Sequence, residues 1–428
     1  MFYYLYKEKL LILAASYSEI KGDFKESFNV TLKEITEEEA KGYKGKIFAI
    51  NPLNPKVSRR SFIVNHVEFL FIKDESLRLL KVPKKNEENI PQWLSEAIES
   101  KRVISVNPLY PTWEEVLNYK ETQKWRVNVV GLGDVGGTLL TGLKLLGYEK
   151  ISSLGLYDRD ENKINRWKFE LGQILSPDMK ERNIEIIGLK EEEVFNCDMF
   201  IFCVSVGVPE VGKEGEDVRL VQFKGNAKIL GSYGRKARER GFKGVFVVVS
   251  DPVDLLCRTA FEESNKDEKN NMDFKGLAPE QIRGYGLGVM NGRACYYANE
   301  KAETRQYITE GRAFGPHGEG LIIADSIINY NEKISQDLTE RTKTANLEIR
   351  GTGFKPYIAP ALSSGSLSLL ATINSQWHYS ATFIGGTFMG CRNRFSEGCT
   401  EIETLDLPQN LFNKLEYTYN LLDQLYKL

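Results

Sequence analysis

The stretch VVGLGDVGGTLLTG, beginning at Val129, constrains the chain more than any other part of it. A valine-rich apolar run enters a loop with glycines at 131, 133 and 136, and an apolar helical pattern follows. Two readings fit that order: a phosphate cradle for a nucleotide, or a tight turn between a buried strand and a helix. In a G-x-G-x-x-G loop each glycine has its own physical task. Gly131 permits the turn, Gly133 lets backbone N–H groups approach a pyrophosphate, and Gly136 lets helix and strand pack closely. Asp134 and Val135 complete the loop, where the helix N-terminus favours negative phosphates.

The pattern alone is weak, and its context decides. Asp158 ends the next strand, 22 residues beyond Gly136. A carboxylate there takes ribose hydroxyls and repels a 2′-phosphate, so the loop reads as a cradle for NAD rather than NADP. Arg159 adjoins it, and a guanidinium is a group that accommodates such a phosphate. Around the loop, the apolar runs ISSLGLYD, IEIIGL, DMFIFCVSVG and KGVFVVVSDP alternate with helical segments such as ENKINRWKFELGQIL and GNAKILGSYGRKARERG. Continuous apolar strands between helices predict a parallel sheet covered on both faces. Arg235, Arg238 and Arg240 read as a solvated helix face.

The fold class expected is therefore α/β, with a Rossmann-type dinucleotide-binding domain over 123–270. A small α+β domain of unknown role, 1–122, precedes it. There FYYLYK and KLLILAAS read as paired strands around Lys7-Glu8-Lys9, and SFNVTLKEI, GKIFAI and HVEFLFI as further strands. IPQWLSEAIES and TWEEVLNYK read as helices, and EITEEEAKGYKGK as a solvated charged segment. An α+β substrate domain, 271–428, follows, with a long helix around GEGLIIADSIINYNEKI, strands in ATFIGGTFMGCRNRF, and a closing helix.

A formal charge of −2 gives no electrostatic case for nucleic acid or an anionic membrane as partner. No apolar run approaches the ~18 residues of a membrane span. The opening MFYYLYKEKLLILAAS lacks the basic leader of a signal peptide. Six cysteines without a Cys-x-x-Cys pair suggest free thiols in a reducing cytoplasm. The only histidines are His66, His317 and His378, which argues against a multi-histidine metal site.

Three later segments can carry chemistry: VSDPVDLLC at the end of a parallel strand, GLGVMNGRACYY with Arg293, and AFGPHGEG with His317 between nearby glycines. An uncrowded imidazole facing a cleft suits proton transfer near neutral pH. Taken in order with the glycine loop, these segments resemble the lactate and malate dehydrogenase family from about Trp125 to the C-terminus. The resemblance implies an NAD-dependent dehydrogenase acting on a CH–OH group, with hydride transfer between NAD(H) and a 2-hydroxy or 2-oxo acid. His317 would exchange the proton, Arg293 would clamp the substrate carboxylate, and Asn291 would lie beside it. The segment GVPEVGKEGEDVR would be a mobile active-site loop bringing Arg219 to the reacting carbonyl. A homo-oligomer, dimer or tetramer, is expected by the same resemblance. The first 122 residues lie outside it.

Three departures stand against the family pattern. Asp251 replaces the asparagine of N-P-V-D, exchanging a donor amide for an acceptor. Met290 stands where the family places the aspartate partner of its histidine; methionine cannot orient an imidazole, and Asp251 or Asp254 are the acids available to substitute. Glu210 or Val211 falls where malate enzymes carry an arginine. Two acceptors, Asp251 and Glu210, would suit an amino-bearing substrate. The alternative is a catalytically reduced NAD-binding sensor or regulatory protein. Glycosidases that share the fold with a metal-binding cysteine–histidine pair are disfavoured, because no histidine accompanies Cys203.

Overall fold

The computed structural model describes residues 1–20, 30–83, 90–175, 183–206 and 218–427, with backbone alone at 20 and 218–221. The N-terminal segment supplies β1 (Phe2–Tyr6), β2 (Lys9–Leu13), β3 (Lys33–Ile35), β4 (Ile47–Ile50), β5 (Ser61–Ile63) and β6 (Val103–Val106). The central region supplies β7 (Trp125–Val130), β8 (Ile151–Tyr157), β9 (Glu185–Gly188), β10 (Met199–Phe202), β11 (Val245–Val248) and β12 (Ile282–Gly284). The remainder supplies β13 (Arg312–Phe314), β14 (Ile322–Ala324), β15 (His378–Ile384), β16 (Thr387–Ser396) and β17 (Cys399–Ile402).

The central strands lie in the order β9-β8-β7-β10-β11-β12, each parallel to its neighbours. This is the doubly wound order, with its switch point between β7 and β10. Residue alternation explains why these strands are apolar throughout. Met199, Ile201, Val245 and Val247 pack on one face against Leu139, Leu140 and Leu143 of the helix Asp134–Leu146. Phe200, Phe202, Phe246 and Val248 pack on the other, against Leu230, Tyr233 and Leu256 of the helices Val218–Glu239 and Val253–Ser264. Both faces are buried, as the sequence pattern required.

The parallel sheet continues past residue 270, taking β12 from 282–284. It also continues past its own edge. β12 pairs with the β15–β16 hairpin, β16 with β17, and β17 with β5, so among the described residues the N-terminal strands extend one sheet of 15 strands. Buried charge reinforces this seam. Arg59 pairs with Glu75 at 2.7 Å and Arg60 with Glu280 at 2.9 Å, and both carboxylates are fully buried. Arg59 also donates to Thr400 O on β17, and Ser61 Oγ donates to Glu280. The described N-terminal strands thus continue the main sheet.

The β1–β2 hairpin turns at Lys7 and Glu8, both at positive φ. Three expected elements differ. HVEFLFI is not a strand: His66 Nδ1 accepts the Glu68 N–H and caps a short turn of helix, Val67–Phe69, while the pairing strand is Ser61–Ile63. GEGLIIADSIINYNEKI is not one helix. Asp325 Oδ1 accepts the Asn331 N–H and Ser326 Oγ accepts the Ile328 and Asn329 N–H groups. These local bonds compete with a helix, so β14 ends there, and the helix Glu332–Gly351 starts only after the Asn331 cap. Likewise, within the described residues, SFNVTLKEI contributes only Lys33–Ile35 as strand. No helix among the described residues is long and apolar enough to cross a membrane.

Arg59→Met leaves the Glu75 carboxylate buried without its cation, and losing one partner of such a pair costs ~3–5 kcal/mol. The expected result is a lower denaturant midpoint, with fluorescence of Trp93 and Trp113 lost in the same transition as the helical circular dichroism. Separate transitions would contradict the continuous seam.

Candidate active site

The glycine loop sits at the switch point. Gly131 has φ +95°, and a Cβ there would lie 2.7 Å from Val204 N, in the backbone leaving β10. A Cβ on Gly136 would overlap the Gly131 carbonyl. Gly133 differs from both, because, apart from its own chain neighbours and the adjoining helix backbone, no atom of the described residues lies within 4 Å of the position its Cβ would take. The space beside it belongs to a cavity of about 400 Å³ that Asp134, Val135, Asp158, Arg159, Lys163 and Tyr357 help to line. Two glycines serve the chain's own packing, and the third keeps backbone accessible. Gly137 adds a feature missed in the sequence: its missing side chain makes room for the Trp167 ring, whose Nε1 donates to Leu132 O at 3.2 Å.

Asp158 is held in place at that cavity. Its Oδ2 accepts the Leu132 N–H at 2.9 Å and its Oδ1 accepts the Asp160 N–H at 3.1 Å. Lys163, another residue not singled out from sequence, places its ammonium 3.5 Å from Oδ2. Arg159 and Lys163 therefore bring two cations beside the carboxylate expected to meet the ribose.

The segment after β11 forms the second part of the site. Ser250 Oγ donates to Val204 O at 2.6 Å, tying the exits of β10 and β11 together. Asn226, fully buried on the helix Val218–Glu239, donates from Nδ2 to Asp251 O at 2.7 Å and accepts the Val206 N–H at 2.8 Å. These contacts place Asp251 so that its Oδ1 lies 3.3 Å from Nδ1 of His317. The other imidazole nitrogen, Nε2, is buried and lacks a partner among the described residues. Gly286, just after β12, makes room for this histidine, since a Cβ there would come within 3.0 Å of His317 Cβ.

The other histidines have structural surroundings. His66 caps a turn. His378 is buried against Arg283, Thr372 and Ser380, and burial, with the Arg283 charge, pushes its value down to about 3. Asp254 is buried near Asp251 and His317, and burial raises its carboxyl to about 7 although the Gly390 N–H bonds to it.

Arg293 is half-buried on the helix Leu287–Ala298, with Met290 Sδ 3.5 Å from one nitrogen and no carboxylate in ion-pair range among the described residues. Burial lowers its value from the usual guanidinium range. Asn291, on the same helix, accepts the hydroxyl of buried Tyr307 at 2.8 Å, which ties its carbonyl to the protein. Glu210 and Val211 lie outside the described residues, as does the side chain of Arg219, whose backbone starts the helix Val218–Glu239. Arg235 and Arg238 are not simply solvated: they pair with Glu263 and Asp273.

Two outcomes are expected. Gly133→Ala should weaken NADH binding about tenfold or more, over 1.4 kcal/mol, with an unchanged melting temperature, whereas Gly136→Ala should lower the melting temperature itself. Fluorescence titration and thermal melts separate them. Asp254 has a raised value, so its contribution to stability is fully present below its unfolded value near ~4 and is lost as pH rises through about 7. Asp254→Asn should therefore flatten the stability loss between about pH 4 and 7, seen by denaturation at each pH.

Residues 125–273 match the family described as lactate/malate dehydrogenase, NAD binding domain. A probable malate dehydrogenase of Campylobacter jejuni is 23% identical over 310 residues, 68% of this chain and 96% of its own. An L-lactate dehydrogenase of Mycoplasma genitalium is 26% identical over 149 residues, 35% of this chain and 42% of its own. Among solved structures, a lactate dehydrogenase from a Medee basin deep-sea metagenome library superimposes with TM-score 0.59 at 18% identity, covering 71% of this chain and 98% of that one. The malate dehydrogenase of Archaeoglobus fulgidus in complex with NADH gives 0.57 at 15% identity, over 71% and 98%. Residues 125–273 thus resemble the NAD-binding domain of lactate/malate dehydrogenases, in a fold shared with both enzymes, and an additional N-terminal segment precedes them.

Proposed function

We propose that this protein is an NAD-dependent dehydrogenase that interconverts a 2-hydroxy acid and a 2-oxo acid, with His317 as proton donor and acceptor. The observation that carries this reading is the imidazole with Asp251 Oδ1 lying 3.3 Å from one nitrogen and with a buried nitrogen at the other that lacks a partner among the described residues. The substrate class follows from the lactate and malate dehydrogenases among its relatives.

The glycine loop and Asp158 would hold the dinucleotide at the carboxyl edge of the sheet. NAD supplies the hydride chemistry. The chain's own residues supply orientation and proton transfer. With Asp251 Oδ1 3.3 Å away, Nδ1 of His317 would carry its proton toward that carboxylate and leave Nε2 free to exchange a proton with the substrate oxygen. In oxidation the imidazole becomes a cation that Asp251 stabilises, and in reduction it returns the proton. Arg293, desolvated and without a carboxylate of its own, would pair with the substrate carboxylate. Arg219 would approach the reacting oxygen from the helix that follows the active-site loop.

The acid has moved relative to the family pattern. Met290 stands where the family's aspartate would orient the histidine, and Asp251 performs that task from the neighbouring strand exit. Its Oδ1 is committed to the imidazole, and its second oxygen remains an acceptor for an amino substituent on the substrate. A panel of 2-oxo acids with NADH, with and without ammonium, identifies the preferred substrate and separates ketone from imine reduction.

His317→Ala should lower kcat about 10²–10⁴-fold while NADH affinity stays within error. If turnover survives, the protein is a cofactor-binding sensor rather than a dehydrogenase of this type.

A further inference from the structure

A second cavity, of about 780 Å³, lies at the amino ends of β7, β10 and β11, at the opposite edge of the sheet from the glycine loop. Its size is that of a small-molecule site, typically ~300–1,000 Å³. Five cations line it: Arg60 and Lys120 from the N-terminal segment, and Arg126, Arg240 and Lys243 from the nucleotide-binding region. Asp198 is the one carboxylate among the described lining residues, and it is fully engaged by Arg126 through Nε and Nη2 and through the backbone N–H.

The charges do not cancel. Arg60 pairs with Glu280 and Glu115, and Lys243 shares Glu115. Those two cations and two carboxylates balance. Lys120 and Arg240 are left on opposite sides of the seam with no ion pair among the described residues. Tyr119 stands beside Lys120 with its ring set against Gly398, where a Cβ would lie 2.5 Å from the ring. The surplus charge of the cavity is therefore positive.

We propose that this cavity binds a small organic polyanion, a phosphate ester or a polycarboxylate, between Lys120 and Arg240. Such a ligand would neutralise both cations and bridge the N-terminal segment to the nucleotide-binding sheet. It gives the additional segment a binding role independent of the reaction at His317.

The test is a thermal melt of the full chain with saturating NADH, so that the glycine loop is filled. Inorganic pyrophosphate and citrate serve as probes for the phosphate and carboxylate arms, against sodium chloride at equal ionic strength. At about 100 times its Kd, one probe should raise the melting temperature of this 428-residue chain by about 3 °C. Lys120→Glu/Arg240→Glu should abolish that shift without changing NADH affinity. If the double variant melts lower than the parent chain, Lys120→Ala alone should reduce the shift. The proposal is overturned if neither probe exceeds the salt control, or if the variants keep the full shift.

Discussion

The close approach of Gly131 to the backbone leaving β10 is the contact on which the site depends. Only a residue without a side chain, at φ +95°, lets the loop after β7 lie 2.7 Å (measured from its would-be Cβ) from Val204 N. That approach fixes where β10 exits the sheet. Ser250 then ties the exit of β11 to Val204 O, and Asn226 ties Val206 to Asp251. Asp251 in turn meets His317. A continuous set of short polar contacts thus runs from the dinucleotide cradle to the imidazole, all at the carboxyl edge of one parallel sheet. The proposed cofactor cradle and proton donor are set relative to each other by backbone geometry and two buried side chains.

The same sheet carries a second constraint on its other side. Its outer hairpin, β15–β16, and then β17 lead directly to the N-terminal strands, and the buried Arg59–Glu75 and Arg60–Glu280 pairs lie at that junction. Buried ion pairs are weak as net stabilisers, but breaking one is costly because a charge is stranded. They therefore specify which strand meets which. The additional segment is held in one register against the dehydrogenase-like core, and its position creates the cationic cavity at the amino edge.

What was legible in the sequence was what is local. The glycine spacing, Asp158 at the end of the next strand, and the continuous apolar strands all declare themselves within some thirty residues, about the length of one βαβ unit. The Lys7–Glu8 hairpin and the closing helix, Gln409–Tyr426, are local too. The failures came where distant residues or local capping decided. Thr400 meets Phe62 across most of the chain, and no periodicity announces that pairing. HVEFLFI carries apolar residues fit for a strand, yet a histidine cap turned it into helix. In the site, Met290 removed the expected partner of His317, and the sequence left Asp251 and Asp254 as equal substitutes. Only the fold separates them, placing Asp251 against the imidazole and burying Asp254 beneath. Asn226 carried a faint signal, a poor helix former inside a helix, and Lys163 carried none.

The central claim is the proposal that Asp251 takes the orienting role that the family resemblance assigns to the position of Met290. The most direct measurement is kcat/KM for the preferred 2-oxo acid in Asp251→Asn and in Asp251→Asn/Met290→Asp, with NADH affinity measured alongside. The account predicts a loss of about 10–100-fold in the single variant and recovery of most of it in the double, at constant NADH affinity. An undiminished rate in Asp251→Asn, or no recovery when the acid is returned to position 290, would contradict it.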